Sequence, residues 1–208
     1  MMELFEKGGF MMYPILLCSV IALAVIIERF YVVFWKTPRP DQAKIDEVFR
    51  LSEAGDITEA IKIIASEQSS LKKILLAILS VENELHQEKA AITAGDELLF
   101  QLRTRLSILS AIGSVVPLMG LLGTVFGMIE VFSKVSDMQG AADPGLLAGG
   151  IWTALLTTAA GMSVAIPTVL AYHYLNRNIA MIAHHMQSAG NSLIAILNHH
   201  SSNRMDTR

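Results

Sequence analysis

The chain has 208 residues, of which 52% are hydrophobic and 17% are charged, and its formal net charge is −3. This balance provides no basic surface of the kind that binds nucleic acid. The single cysteine, Cys18, excludes an intramolecular disulfide and a cysteine-based zinc site. The apolar residues are concentrated in three segments, and these segments organise the chain.

The first apolar segment, residues 10–35, follows a short N-terminal segment at residues 1–9. It is long enough for a transmembrane helix, which needs about 20 mostly apolar residues. A cleavable signal peptide is the alternative, but no basic region precedes the segment and no small-residue cleavage site follows it. Near its end, Tyr31 and Trp35 suit a membrane–water interface, and Arg29 is expected to extend its charge to that interface. We therefore predict transmembrane helix 1 here.

Residues 36–105 are predicted to form a helical insert. Asp41 can cap a helix that ends near Ala54, before Gly55. A second helix follows, and a third is expected over residues 71–84. From about His86 the pattern predicts one helix that continues unbroken into the next apolar segment.

The second and third apolar segments, residues 106–132 and 146–175, are both long enough to span a bilayer and are separated by a loop at residues 133–145. Pro117 and Pro167 each remove a helix hydrogen bond, and we expect them to kink their helices. Small residues recur along both segments and allow two helix backbones to approach closely in lipid. The predicted packing residues are Gly120, Gly123, Gly127, Gly149 and Gly161.

Two threonines, Thr124 and Thr158, lie at similar depths in these two antiparallel segments. Their hydroxyls either line a polar path or donate to a carbonyl of the preceding helical turn. Spacing alone favours the second interpretation.

The remaining segment, residues 176–208, is predicted to be a helix and tail with an apolar heptad seam, which favours helix association within or between subunits. Its adjacent histidine pairs point to different helix faces, so we predict no metal site. The seam consists of Ile179, Ile182, Met186, Ala189, Leu193 and Ile196.

Basic residues predict the orientation, because they accumulate on the cytoplasmic side of membrane helices. The N-terminus and the loop at residues 133–145 are expected in the periplasm, and the insert and C-terminus in the cytoplasm. The supporting basic residues are Lys36, Arg39, Lys44, Arg50, Arg103, Arg105 and Arg177.

Two stretches resemble the MotA/TolQ/ExbB proton-channel family, and the ExbB/TolQ branch in particular. The first is Gly120-Leu-Leu-Gly-Thr124-Val-Phe-Gly127, and the second runs from Gly150 through Thr158 to Gly161 and on to Pro167. The resemblance implies a homopentamer in the bacterial inner membrane, surrounding the helices of an ExbD/TolR-like single-span partner that bears a membrane aspartate. It also implies that Thr124 and Thr158 face the pore, and that a TonB- or TolA-like protein takes part. The chain departs from the family at Thr153, where ExbB and TolQ proteins usually carry a glutamate.

These observations predict an all-α integral membrane protein with three transmembrane helices and long cytoplasmic helical extensions. No catalytic motif or phosphate-binding loop is visible, so we expect neither an enzyme nor a cofactor. Since the middles of the spans contain no carboxylate, an ion carrier is expected on the partner chain. Two alternatives stay open: a passive scaffold for partner helices, and a sodium-driven or rotary motor stator in which Thr153 and Thr157 help to bind Na⁺.

Overall fold

The computed structural model describes residues 9–35, 40–81, 83–137 and 144–206 and is helical almost throughout them. The predicted N-terminal segment before Gly9 and the loop residues 138–143 lie outside this part. The described helices are α1 (Met12–Trp35), α2 (Gln42–Ala54), α3 (Ile57–Ala65), α4 (Leu71–Leu79), α5 (Glu84–Arg103), α6 (Leu106–Asp137) and α7 (Pro144–Asp206).

Three helices are long and apolar enough to cross a membrane. They are Met12–Trp35, Leu106–Ser136 within α6 and Leu147–His199 within α7, with mean hydropathies of 2.3, 2.0 and 1.7. Most of their apolar surface is left uncovered by the rest of the chain, since only 28% of the most apolar window of α6 is buried. The predicted all-α class with three membrane-length helices is confirmed.

The chain divides into two compact units. The first unit comprises Met1–Arg29 and Arg105–Tyr174, and the second comprises Phe30–Thr104 and Leu175–Arg208. The first therefore contains most of α1, all of α6 and the first half of α7. The second contains α2 to α5 and the end of α7.

The second unit is built around a core of large aliphatic side chains. Leu75 and Ile78 of α4 are fully buried, and Met186 and Leu193 of α7 belong to the same cluster. Burying such a side chain contributes about 1.5–3 kcal/mol. The heptad seam predicted after residue 176 thus packs within the subunit.

Local signals at the start of the second unit act as predicted. The Asp41 carboxylate accepts a hydrogen bond of 3.2 Å from the Ala43 N–H and caps α2. Gly55 ends that helix in the left-handed region at φ 85°, where its N–H donates to the carbonyls of Leu51 and Ser52. Glycine adopts this conformation without the Cβ clash that other residues incur.

The helix predicted over residues 71–84 is shorter than expected, because α4 ends at Leu79. The Ser80 hydroxyl donates to the Ala77 carbonyl at 3.0 Å. The Asn83 side chain then accepts from the Leu85 N–H at 3.0 Å and starts α5. Short polar side chains compete with helix propagation in this way, and two of them occur within four residues.

The unbroken helix predicted from His86 into the second apolar segment is wrong. It is interrupted at Thr104, whose ψ of 136° is extended, and at Arg105, whose φ of 67° is left-handed. The Thr104 hydroxyl donates to the Phe100 carbonyl at 2.7 Å. A left-handed non-glycine residue costs about 1–2 kcal/mol, and the Arg105 side chain forms an ion pair with Glu28 of α1.

Arg29 also differs from its prediction. Its side chain is buried rather than extended to an interface, with a relative exposure of 6%. Its guanidinium pairs with Glu28 at 2.8 Å. A carboxylate one residue away therefore compensates the charge inside the first unit.

Candidate functional site

The candidate site lies where α6 and α7 pack against each other within the first unit. A β-carbon added at Gly120 would lie 3.1 Å from the Thr158 Cα, and one added at Gly127 would lie 3.1 Å from the Ala154 Cβ. Residue numbers rise along α6 as they fall along α7, so the two helices are antiparallel. The two family-like stretches face each other across this contact.

Glycines allow the close approach of the two backbones. A β-carbon added at Gly161 would lie 2.9 Å from the Val116 carbonyl oxygen, and one added at Gly123 would lie 2.3 Å from the Thr157 Cγ2. Distances below 3.0 Å are not found between real Cβ atoms and their neighbours. These two positions therefore require glycine unless the helices move apart.

Where α6 and α7 pack nearest to their connection, the close approach is at Gly150 rather than at the predicted Gly149. A β-carbon added at Gly150 would lie 1.8 Å from the Val131 Cγ2, whereas one added at Gly149 would meet nothing within 4 Å. The predicted stripe assumed a spacing of four residues. At 100° per residue such a stripe drifts by about 120° between residues 161 and 149, and so leaves the contact face.

Thr158 joins the two helices directly. Its hydroxyl donates to the Gly120 carbonyl oxygen at 3.0 Å, across 38 residues of sequence. This hydrogen bond links the first residue of one family-like stretch to the threonine of the other. The close approach at Gly120 brings the carbonyl within reach.

Thr124 makes a different hydrogen bond. Its hydroxyl donates to the Leu121 carbonyl of its own helix at 2.6 Å, and the residue is half-buried. Thr124 thus follows the local bonding pattern that spacing alone favoured, whereas Thr158 does not.

The two further threonines of α7 also donate within the protein. Thr157 is buried, with 1% relative exposure, and its hydroxyl donates to the Thr153 carbonyl at 3.0 Å. The Thr153 hydroxyl donates to the Gly149 carbonyl at 3.2 Å, and the residue is half-buried. Thr157 lies inside the helix contact, and Thr153 borders a cavity with Glu130.

These hydrogen bonds determine what the hydroxyls can bind. A hydroxyl has one proton to donate and two lone pairs that accept. Because the protons of Thr124 and Thr158 are directed at carbonyl oxygens, each hydroxyl can offer a ligand only its lone pairs. The ligands that suit these hydroxyls are therefore cations, water molecules that donate a proton, and protonated acids.

Over the described residues 106–137 and 144–174, acidic, lysine and arginine side chains are confined to the last turns of α6. They are Glu130, Lys134 and Asp137, and the one histidine of these ranges is His173. Pro117 and Pro167 both lie inside the helices, which continue through them. Among the described residues, no three histidine, cysteine or acidic side chains cluster as they would to hold a metal ion.

Sequence reasoning did not identify Gly150 as a contact residue or Glu130 as a residue of the same cavity as Thr153. The position of Glu130, three residues after Gly127, was the available signal, because residues three apart share a helix face.

The profile of the MotA/TolQ/ExbB proton channel family matches residues 63–188, more than half of the chain. The chain belongs to this family. Biopolymer transport protein exbB1 of Vibrio cholerae is 30% identical over 191 residues, which cover 88% of this chain and 83% of that protein. ExbB of Neisseria gonorrhoeae is 28% identical over 163 residues, covering 70% of this chain and 74% of the relative.

The fold is also found in a solved structure of the family. The C. jejuni MotAB structure superimposes with a TM-score of 0.68 over 93% of this chain and 80% of that one, at 14% sequence identity. This likeness concerns the fold alone. Together with the apolar helices, family membership makes the chain a helical protein of the bacterial inner membrane.

Proposed function

We propose that the chain is the ExbB/TolQ-like subunit of an ion-driven energiser of the inner membrane. Five copies surround the helices of an ExbD/TolR-like partner, and the complex couples proton flow to mechanical work on the cell envelope through a TonB- or TolA-like protein. The N-terminus faces the periplasm and the C-terminus the cytoplasm.

One observation carries the proposal: the hydrogen bond from Thr158 to the Gly120 carbonyl. It ties together the two stretches that define the family resemblance, and it fixes the hydroxyl proton of Thr158.

The need for a partner follows from the chemistry of these side chains. Proton relays inside membranes use carboxylates or similar titrating groups. Between Leu106 and Ile129 and between Pro144 and Tyr172, the described helices carry no acidic residue. Threonine hydroxyls do not titrate near neutral pH, so the proton is carried by the membrane aspartate of the partner.

The direction of the threonine hydrogen bonds gives the path its selectivity. A hydroxyl that can only accept stabilises the protonated aspartic acid, which donates, over the ionised aspartate, which can only accept. Thr124 and Thr158 therefore stabilise the partner in its proton-loaded state inside the membrane. Ionised aspartate is left to water or to a cation.

Threonine-to-valine substitutions test this assignment, because valine keeps the shape and removes the hydroxyl. We expect Thr124→Val and Thr158→Val complexes to assemble, yet to lose most partner-dependent proton flux in liposomes. Leaving a buried polar partner unsatisfied costs about 1–3 kcal/mol, and about 1.4 kcal/mol changes a rate tenfold.

The matched control is Thr157→Val, whose hydroxyl lies inside the helix contact, and we expect nearly normal flux from it. Normal flux in the Thr124→Val, Thr158→Val double variant would contradict the assignment of these two threonines. Absence of partner-dependent proton flux in the unmodified complex would favour the passive scaffold. Replacing the proton gradient with a Na⁺ gradient separates a proton-driven from a sodium-driven complex.

Cysteine labelling tests the orientation. A cysteine placed at Asp137 should react with an impermeant reagent from the periplasmic side. A cysteine at the exposed Glu53 position should react only after the membrane is opened. Labelling of the Glu53 position from the periplasm would reverse the topology.

A further inference from the structure

A cavity of about 270 Å³ opens between α6 and α7, beyond the threonines in the direction of the α6–α7 connection. Three of its lining residues are glycines, and a β-carbon added at Gly149 would meet nothing within 4 Å. The polar side chains that reach it are those of Glu130, Lys134 and Thr153. The glycines are Gly127, Gly149 and Gly150.

The cavity lies further along both helices than Thr124 and Thr158, the threonines of the proposed path. At about 1.5 Å per residue, Glu130 lies about 9 Å beyond Thr124 on α6, and Thr153 lies about 7.5 Å beyond Thr158 on α7. Because the helices are antiparallel, both displacements point the same way. The cavity therefore lies on the side of Thr124 and Thr158 that leads to the α6–α7 connection.

The lining of the cavity suits a hard cation. Glu130 provides carboxylate oxygens, and it is the one acidic residue among those that line the cavity. The Thr153 hydroxyl donates to Gly149, so its lone pairs are directed to other partners. Hard cations take oxygen ligands of these two kinds.

The Glu130 carboxylate forms an ion pair with a lysine of the same helix. Lys134 Nζ lies 2.7 Å from Glu130 Oε1, one helical turn away. The Glu130 and Lys134 side chains are 67% and 52% exposed, respectively. An exposed pair of this kind contributes little to stability, so another cation can displace the ammonium group at low cost.

We propose that this cavity collects a hydrated monovalent cation, either Na⁺ or hydronium, for the path through the complex. Glu130 and Thr153 supply the oxygen ligands, and Lys134 competes for the carboxylate as a tethered cation. The inference rests on the proposed function, because the collected ion is the one that the complex conducts.

Competition predicts opposite effects for the two members of the ion pair. Glu130→Gln removes the ligand and weakens cation binding. Lys134→Gln removes the competitor and strengthens it. A salt bridge that only supports the helix end would give small effects of the same sign in both variants.

The test uses the full chain reconstituted in liposomes with its single-span partner. Initial flux is measured against cation concentration, once with a Na⁺ gradient at constant pH and once with a pH gradient without Na⁺. We expect Glu130→Gln to raise the half-saturating concentration of the conducted cation about tenfold, within the range that charged clefts achieve. Lys134→Gln should lower it several-fold. The ion whose flux responds identifies the cation.

A third variant separates a ligand from a structural role. Thr153→Glu combined with Glu130→Gln returns a carboxylate to the same cavity from the opposite helix, and should restore the half-saturating concentration. The matched controls are Glu47→Gln and Arg50→Gln, which break an exposed ion pair of similar length in α2 and should leave flux unchanged. Unchanged or same-sign effects in both Glu130→Gln and Lys134→Gln would overturn the proposal.

Sodium NMR on the purified chain tests cation binding in the cavity independently of conduction. If the complex conducts neither ion, the proposed function is contradicted. Broadening of the sodium signal then shows whether the cavity binds the cation. Broadening that is lost in Glu130→Gln and increased in Lys134→Gln supports the site. Without conduction, the absence of such broadening refutes it.

Discussion

The two units of the chain are both helical, but the helices inside each unit pack through different kinds of residue. In the second unit, large side chains such as Leu75 and Ile78 fill a core that is fully buried. In the first, α6 and α7 meet through glycines, with backbone close to backbone at Gly120 and Gly161. Water drives apolar side chains together in the first kind of packing. In lipid that drive is missing, and close contact and hydrogen bonds replace it.

This contrast explains why the same kind of mutation has different consequences in the two units. Removing a side chain damages the second unit, whereas adding one damages the helix pair of the first. The following experiments on the whole protein in detergent separate these two kinds of packing.

The largest expected effect is loss of a core side chain in the second unit. Leu75→Ala should destabilise it by about 2–5 kcal/mol, because the vacated space cannot fully collapse. Faster hydrogen exchange in α4 would measure this change. The control is Lys73→Ala, which removes an exposed side chain of the same helix, and similar exchange in the two variants would contradict the assignment of the core.

The second largest effect is expected when one carbon atom is added where α6 and α7 pack against each other. Gly161→Ala forces a β-carbon against the Val116 carbonyl, and we expect a loss of about 1–3 kcal/mol, as in other overpacked contacts. Gly149→Ala adds the same carbon where nothing lies within 4 Å. It should be neutral or stabilise the helix by about 0.5–1 kcal/mol. Thermal unfolding of both variants measures the difference, and equal losses would contradict the register.

A pH-dependent contribution is expected at Glu67, which is 5% exposed. Burial raises the pKa of this carboxyl, but the hydrogen bond from the Asp41 N–H and the charge of Lys44 are among the influences that outweigh it, and the pKa lies below its usual value. A lowered pKa in the folded state adds stability at neutral pH that is lost as the pH falls through that pKa.

Glu67→Gln should therefore destabilise the second unit at neutral pH, by about 1–3 kcal/mol. The difference from the unmodified protein should begin to shrink at about pH 4, the usual pKa of glutamate, and should vanish only below the lowered pKa of the folded state. Hydrogen exchange in α2 at several pH values measures it, with Glu47→Gln, whose side chain is partly exposed, as control. A difference that persists in acid would show that shape, rather than charge, is responsible.

The smallest expected effect concerns the stability of the two threonine variants. Thr158→Val removes a bond between helices and should cost about 0.6 kcal/mol, the average for membrane hydrogen bonds. Thr124→Val removes a bond within one helix and should leave the pairing of α6 and α7 unchanged. Steric-trap or thermal unfolding can compare them, and a larger loss for Thr124→Val would refute the assigned bonds.

The sequence was sufficient to predict the features of the fold that depend on neighbouring residues or on composition. These features are the cap at Asp41, the helix end at Gly55 and the three long apolar helices. The family resemblance likewise depended on short stretches around Thr124 and Thr158.

The features that were missed depend on residues far apart in the sequence. The left-handed Arg105 pairs with Glu28, 77 residues earlier, and the residues next to Arg105 include no glycine or proline that would predict a helix break. The carbonyl that receives the Thr158 proton lies 38 residues away. The choice between Gly149 and Gly150 depends on helix rotation, which a spacing of four residues describes only approximately.

The antiparallel register of α6 and α7 also constrains how the two helices can change over evolution. Gly127 faces Ala154, and Gly150 faces Val131, so each pair combines a glycine with a larger residue. We therefore expect the summed volume of a pair, rather than the identity of either member, to be kept. We expect the exchanged pair Gly127→Ala with Ala154→Gly to be tolerated where Gly127→Ala alone is not, and substitutions at the two positions to arise together.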